Sequence, residues 1–205
     1  LNSAVAFENL DGGSGADTLF GNSLNNTLTG SAGNDKLLGA GGNDLLLGGA
    51  NNDTYLFVPA TAAEADEVRE KPDEGIDTLN FGYLTTSVVV NLGSTSVQPV
   101  HLNRTLKLNS AVVFENLDGG SGADTLFGNS LNNTLTGSAG DDKLVGAGGN
   151  DLLLGGANND TYLFVPATAA EADEVREKAN EGTDTLNFGY LTTSVVVNLG
   201  STSVQ

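Results

Sequence analysis

The chain has 205 residues, 28 of them glycine and none cysteine, methionine or tryptophan. Glycine turns are plentiful, bulky core residues are scarce, and disulfides and zinc–thiolate sites are excluded. With 26 acidic residues against 8 basic ones the formal net charge is -18, a surface that repels phosphate backbones and anionic lipid and draws hard cations, so nucleic acid is not expected as a partner.

Taken from its start, the chain opens on Leu1 rather than methionine and reads as an excerpt or a processed product. No signal peptide and no apolar run of membrane-spanning length are evident, so membrane insertion is not expected. Residues 1–98 reappear as residues 108–205 with six differences: Ala6/Val113, Asn34/Asp141, Leu38/Val145, Pro72/Ala179, Asp73/Asn180 and Ile76/Thr183. Two tandem, near-identical units are therefore expected, with residues 99–107 as a joint that occurs once. Within a unit, residues 4–7 are an apolar run, Ala-Val-Ala-Phe, predicted as a strand entering the first glycine turn. Residues 59–74 are rich in Ala and Glu, but Pro59, Pro72 and the lack of an apolar stripe predict a loop rather than a helix. Residues 77–81 and 87–92, short β-branched runs bounded by glycine, are predicted strands, as is the stretch 106–114 leading into the second unit.

Between the first run and the loop lies the most regular stretch, residues 12–56, with its counterpart at 119–163. Read in nines it runs Gly-Gly-Ser-Gly-Ala-Asp-Thr-Leu-Phe, Gly-Asn-Ser-Leu-Asn-Asn-Thr-Leu-Thr, Gly-Ser-Ala-Gly-Asn-Asp-Lys-Leu-Leu, Gly-Ala-Gly-Gly-Asn-Asp-Leu-Leu-Leu and Gly-Gly-Ala-Asn-Asn-Asp-Thr-Tyr-Leu. Each nonapeptide opens with glycine, carries Asp or Asn sixth and places Leu or Tyr eighth. Six residues of turn and three of strand make a half-coil, so turns n and n+2 stack on one side at a spacing of 18 residues. In a three-residue strand the middle side chain points opposite to its neighbours. Leu19, Leu28, Leu37, Leu46 and Tyr55 are thus predicted to face inward, with Leu126, Leu135, Leu144, Leu153 and Tyr162. One apolar side chain for every nine ordered residues is too thin a core to offset the backbone entropy by itself.

The pattern resembles the RTX calcium-binding repeats of bacterial secreted proteins. The resemblance implies a right-handed parallel β-roll, an all-β solenoid whose glycine-rich turns take up several calcium ions. Glycines turn carbonyl oxygens inward, and the sixth-position carboxylate offers oxygens to ions on either side. Pairing n with n+2 sets Asp17 with Asp35, Asp35 with Asp53, and Asn26 with Asp44. In the second unit Asp124, Asp142 and Asp160 form the corresponding set, with Asn133 paired to Asp151. Asn26 and Asn133 lack charge and their turns have lost glycines, so weak or absent binding is expected there. After the block, an acidic run before Glu-Gly-x-Asp-Thr also resembles the segment that commonly succeeds such repeats. It implies a further ion held by Asp66, Glu70 and Asp77, and by Asp173, Glu177 and Asp184.

Other chemistries find less support. A metal-free solenoid, with Asn, Asp and Gly as turn formers only, does not explain the regular sixth-position Asp. No P-loop motif is present, the single His101 has no thiol partner and reads as a solvated side chain, and no triad recurs in both copies. Acceptor patterns for glycosylation at Asn25, Asn52 and Asn103 read as chance, because two of them fall in the turns. The expected role is a non-enzymatic structural module of a long secreted or cell-surface protein, such as an adhesin, fibre or surface layer, exported unfolded by type I secretion and stiffened by calcium outside the cell. Apolar strands near both ends lead to an expectation of head-to-tail stacking or a continuing array. The alternative is the accessory repeat segment of a secreted protease or lipase.

Overall fold

The structure, a computed structural model, describes residues 7–72, 74–166, 169–178 and 181–199. Among these every regular element is a β-strand, and no helix is long and apolar enough to cross a membrane. The chain coils, and successive strands alternate between two sides. In the first unit β1 (Asn9–Gly13), β3 (Thr27–Ala32), β5 (Leu45–Ala50) and β7 (Glu64–Arg69) stack in parallel on one side. Opposite them stack β2 (Thr18–Phe20), β4 (Lys36–Leu38), β6 (Thr54–Leu56) and β8 (Thr78–Asn80). The register is set by the period, with Leu19 opposite Leu37 and Leu37 opposite Tyr55. All ten predicted inward residues are buried.

The joint is a β-hairpin. After β9 (Val89–Asn91), β10 (Gln98–His101) turns back into β11 (Arg104–Leu108), and β11 lies parallel to β7. Asn109 extends this pairing beyond the strand: its side chain accepts the Glu70 amide at 3.0 Å and donates to the Glu70 carbonyl at 2.6 Å. The hairpin closes the sheet of β1, β3, β5 and β7. The coil nevertheless continues, because β12 (Asn116–Gly120) stacks on β8 and β13 (Thr125–Phe127) stacks on β9.

From there β14 (Thr134–Ala139), β16 (Leu152–Ala157) and β18 (Glu174–Arg176) follow β12, while β15 (Lys143–Val145), β17 (Thr161–Leu163) and β19 (Thr185–Asn187) follow β13. The hairpin thus exchanges the two sides: β1 belongs to one sheet, whereas β12, its counterpart in the second unit, continues the other. A single apolar ladder runs unbroken through both units as Leu19, Leu37, Tyr55, Leu79, Leu117, Leu135, Leu153 and Val175.

Several expectations are corrected. Residues 59–74 are not a loop throughout, since the stretch contains β7. Its alternating burial, with Glu64, Asp66 and Val68 inward, is a strand pattern that its composition hid behind acidic residues. The stretch 106–114 is not one strand: β11 ends at Leu108, the chain bends, and Val113 and Phe114 are buried outside any strand. Of the first apolar run, residues 4–6 lie outside the described residues and Phe7 is not in a strand. The half-coils are also unequal. Whereas β2, β4 and β6 have three residues, β3 and β5 have six and run on into the next turn.

Candidate metal centre

The sixth residue of each nonapeptide sits where the turn enters the strand, and stacking at 18 residues brings these positions into rows. Within a row each backbone amide donates to the carboxylate two turns on. Asp17 donates to Asp35 Oδ1, Asp35 to Asp53 Oδ1 and Asp53 to Asp77 Oδ1, each at 2.8 Å. On the other side Asn26 donates to Asp44 at 2.8 Å and Asp44 to Asp66 at 3.0 Å. The second unit repeats this, from Asp124 to Asp142 at 2.7 Å, to Asp160 at 2.8 Å and to Asp184 at 3.0 Å. Its other row runs from Asn133 to Asp151 at 2.8 Å and to Asp173 at 3.1 Å.

Each carboxylate after the first in its row thereby uses one oxygen as a fold-defining acceptor. In Asp35, Asp44, Asp53, Asp142, Asp151 and Asp160 the other, Oδ2, is buried without a hydrogen-bond partner, as are Asp17 Oδ2 at the start of its row and Glu70 Oε2 beyond the block. A buried carboxylate oxygen without a donor is costly unless a cation meets it. The first glycine of the turn clears the space. A Cβ at Gly30 would run into Asp35 Oδ2 and would lie 2.6 Å from the carbonyl oxygen of Gly48. At Gly12 it would lie 2.6 Å from Asp17 Oδ2 and 2.9 Å from the Gly30 carbonyl oxygen. An all-oxygen set of carboxylate and carbonyl groups, with space between them, suits a hard divalent cation.

Burial has the matching electrostatic effect. Without a cation, desolvation pushes Asp44 and Asp53 up to about 6, Asp77 and Asp142 to about 7, and Asp151 to about 6, with neighbouring carboxylates adding to the rise. Backbone amides donated to these carboxylates oppose the shift. Asp124 is also raised by burial, but both its oxygens are engaged, Oδ1 by the Val88 amide at 2.8 Å and Oδ2 by the Gly120 amide at 2.7 Å.

Beyond the block, carboxylate oxygens of Asp53, Glu70 and Asp77 lie within 4.8 Å of one another, all three residues buried. Asp160, Glu177 and Asp184 repeat the cluster, the last two exposed. Glu70 is pushed up to about 8, first by desolvation and then by the charges of Asp77 and Asp53. Asp66 is not in this group. Four residues along a strand span roughly 13 Å, so β7 carries Asp66 to the row of Asp44 and leaves Glu70 beside Asp53. Asp173 and Glu177 are divided in the same way.

The asparagine turns are built differently. Asn26 Oδ1 accepts the Asn22 amide at 2.8 Å and its Nδ2 donates to the carbonyls of Phe7 and Glu8 at 3.2 and 3.3 Å. Asn133 makes the same bonds to Asn129, Phe114 and Glu115. Both ends of the amide are satisfied by protein, with no oxygen left over.

Several site residues escaped the sequence. The Tyr55 hydroxyl accepts the Gly48 amide at 2.7 Å and contacts Glu70, and Tyr162 does likewise with Gly155 and Glu177. A tyrosine replacing the usual leucine at the eighth position was the available signal. Glu115 accepts the Asp77 amide at 2.9 Å across the joint, a contact between units that no period announces. The fifth-position asparagines form an outer ladder, with Asn25 accepting from Asn43, and Asn43 from Ala65. Asp141, which replaces Asn34 in the second unit, keeps that acceptor role toward Asn159 at 3.0 Å. His101, read as solvated, is partly covered, and its ring meets Thr86 Oγ1 at 2.5 Å.

Parallel sheets wound from 18-residue coils, with glycine turns enclosing rows of half-satisfied carboxylates, define a β-roll of the cation-binding kind. The blocks belong to the RTX calcium-binding nonapeptide repeat family, whose repeat matches four times, over residues 7–23, 20–55, 115–130 and 127–162. No curated protein matches the chain. Repeats of this family bind calcium, and the oxygen-only donor sets described above fit that ion.

Proposed function

We propose that this chain is a calcium-folded structural segment of a long secreted or cell-surface bacterial protein, such as an adhesin, a fibre or a surface layer. Asp17, Asp35, Asp44 and Asp53 hold ions between stacked turns, as do Asp142, Asp151 and Asp160 and, through lone pairs that its two amide donors leave free, Asp124, while Glu70 with Asp77 and Glu177 with Asp184 complete the sites after each block. Asp66 and Asp173 close the opposite row. The carrying observation is the series of buried carboxylate oxygens without donors, repeated every second turn. Until a cation neutralises them, these groups repel one another, so coordination free energy is folding free energy. Such a chain stays unfolded where calcium is scarce, as export requires, and becomes a stiff rod outside the cell. The near-identity of the two units favours a repetitive array over the accessory segment of an enzyme.

The test is circular dichroism during calcium titration. Strand signal should be absent in chelator at neutral pH and should appear cooperatively with calcium. Strand content indifferent to the chelator would remove the calcium dependence and leave only the solenoid.

A further inference from the structure

Arg104 lies at the heart of the joint and is almost wholly buried. Its guanidinium pairs with Glu64, lies 3.5 Å from Asp66 Oδ2, donates to the Val58 carbonyl at 3.1 Å, and is stacked 5.1 Å from the centroid of the Phe57 ring. Phe57 in turn stacks on Phe81 at 4.4 Å. Leu106 and Leu108, the inward residues of the same strand, are completely covered. The register sets Arg104 opposite Glu64, Leu106 opposite Asp66 and Leu108 opposite Val68.

The second unit carries the same surface uncovered. Phe164 stacks on Phe188 at 4.5 Å, and Asp173 accepts the Asp151 amide at 3.1 Å just as Asp66 accepts that of Asp44. Yet β18 pairs only with β16, and among the described residues no strand lies on its outer edge and no basic side chain pairs with Glu171 or Asp173. A groove remains, with Phe164, Val175, Leu186 and Phe188 as apolar lining and Glu171 and Asp173 beside them.

We propose that this groove is the docking site for another copy of the joint hairpin, with its arginine opposite Glu171 in the register of Arg104 opposite Glu64. The first unit shows the occupant in place on an identical run of sequence, Glu-Ala-Asp-Glu-Val-Arg. The chemistry selects arginine over a metal ion. A phenylalanine face supplies no oxygen to a hard cation, whereas a planar guanidinium stacks on it and meets two carboxylates at its edge. The hairpin follows Gln98 directly in the first unit, so a continuing array would present its copy after Gln205. Arginine then links unit to unit where the turns inside a unit use calcium. The inference rests on the tandem-array reading, not on the calcium reading.

A labelled peptide of residues 98–109 added to the full chain in millimolar calcium tests this, read by hydrogen exchange over residues 171–178. The peptide should slow exchange there, and its Arg104→Gln version should bind at least about thirtyfold more weakly, as expected when one partner of a buried charge pair is removed. Glu171→Gln in the chain should erase most of that difference. The same comparison is made in cis, with the sequence of residues 99–109 appended after Gln205, where no association entropy opposes docking. Equal protection by both versions, or none in cis, overturns the proposal. Exchange is compared with that of the calcium-loaded chain without peptide, because calcium at Glu177 and Asp184 itself protects this segment. Calcium-dependent strand signal in the same samples reports on the folding reading separately.

Discussion

A single carboxylate in this roll has two tasks that its two oxygens divide. Asp35 Oδ2 is buried and unpartnered, while Oδ1 receives the Asp17 amide. Asp35→Asn preserves the acceptor and removes the charge, so the turn should still stack while its ion is lost. Asn26→Ala has the opposite profile, because it removes a peg whose amide is saturated by protein. By isothermal calorimetry Asp35→Asn should lower calcium affinity at least about tenfold. Asn26→Ala should lower it less than about twofold and instead cost roughly 1 kcal/mol of folding stability. The reverse order would mean that the neutral turn, not the charged one, holds the ion.

At the scale of the element, the turns are held to narrow backbone geometry by close approach of the coils. Gly33 has φ of 123°, and a Cβ there would run into the carbonyl of Gly15 in the turn below. Gly41, in the next nonapeptide, has no such φ, and its nearest neighbour would be Ser23 Cα at 3.9 Å. Gly33→Ala should therefore destabilise by more than about 2 kcal/mol, whereas Gly41→Ala should be neutral or stabilising by up to about 1 kcal/mol. Urea unfolding in saturating calcium measures both. Similar losses for the two would show that glycine acts here through composition alone and not through conformation.

For the whole molecule, the carboxylate rows make the calcium-free fold a creature of acid. Glu70 at about 8, Asp77 and Asp142 at about 7, and Asp44, Asp53 and Asp151 at about 6 all titrate above their ordinary values, first because burial disfavours the charged form. A raised carboxylate contributes stability that is complete below its unfolded value, about 4, and is lost as pH rises through the folded value. In chelator, strand content should thus be greatest near pH 4 and fall between about pH 6 and 8, helped by self-repulsion of a chain of net charge -18. Calcium should reverse the slope, because its ligands must be deprotonated. Circular dichroism against pH, with and without chelator, checks the sign. Strand content rising with pH in chelator would contradict the burial of these groups.

The nine-residue period determined by itself the inward leucines, the 18-residue stacking and the identity of most carboxylates in the rows. It could do so because each is a local consequence of backbone periodicity and glycine geometry repeated without interruption. Asn9–Gly13 and Asn116–Gly120 show what it could not determine. The two strands are identical in sequence, Asn-Leu-Asp-Gly-Gly, yet Leu10 is 40% exposed at a sheet edge and Leu117 is 0% exposed between β8 and β14. Likewise Glu-Val-Arg is half of a covered six-residue strand beside Arg104 and an exposed three-residue strand in the second unit. Only the tertiary structure decided these, together with the parting of Asp66 from Glu70 and the exchange of sides at the joint. Each depends on which strand the hairpin of residues 98–108 lays against its neighbour, and that pairing joins residues about forty positions apart on a segment the repeat does not contain.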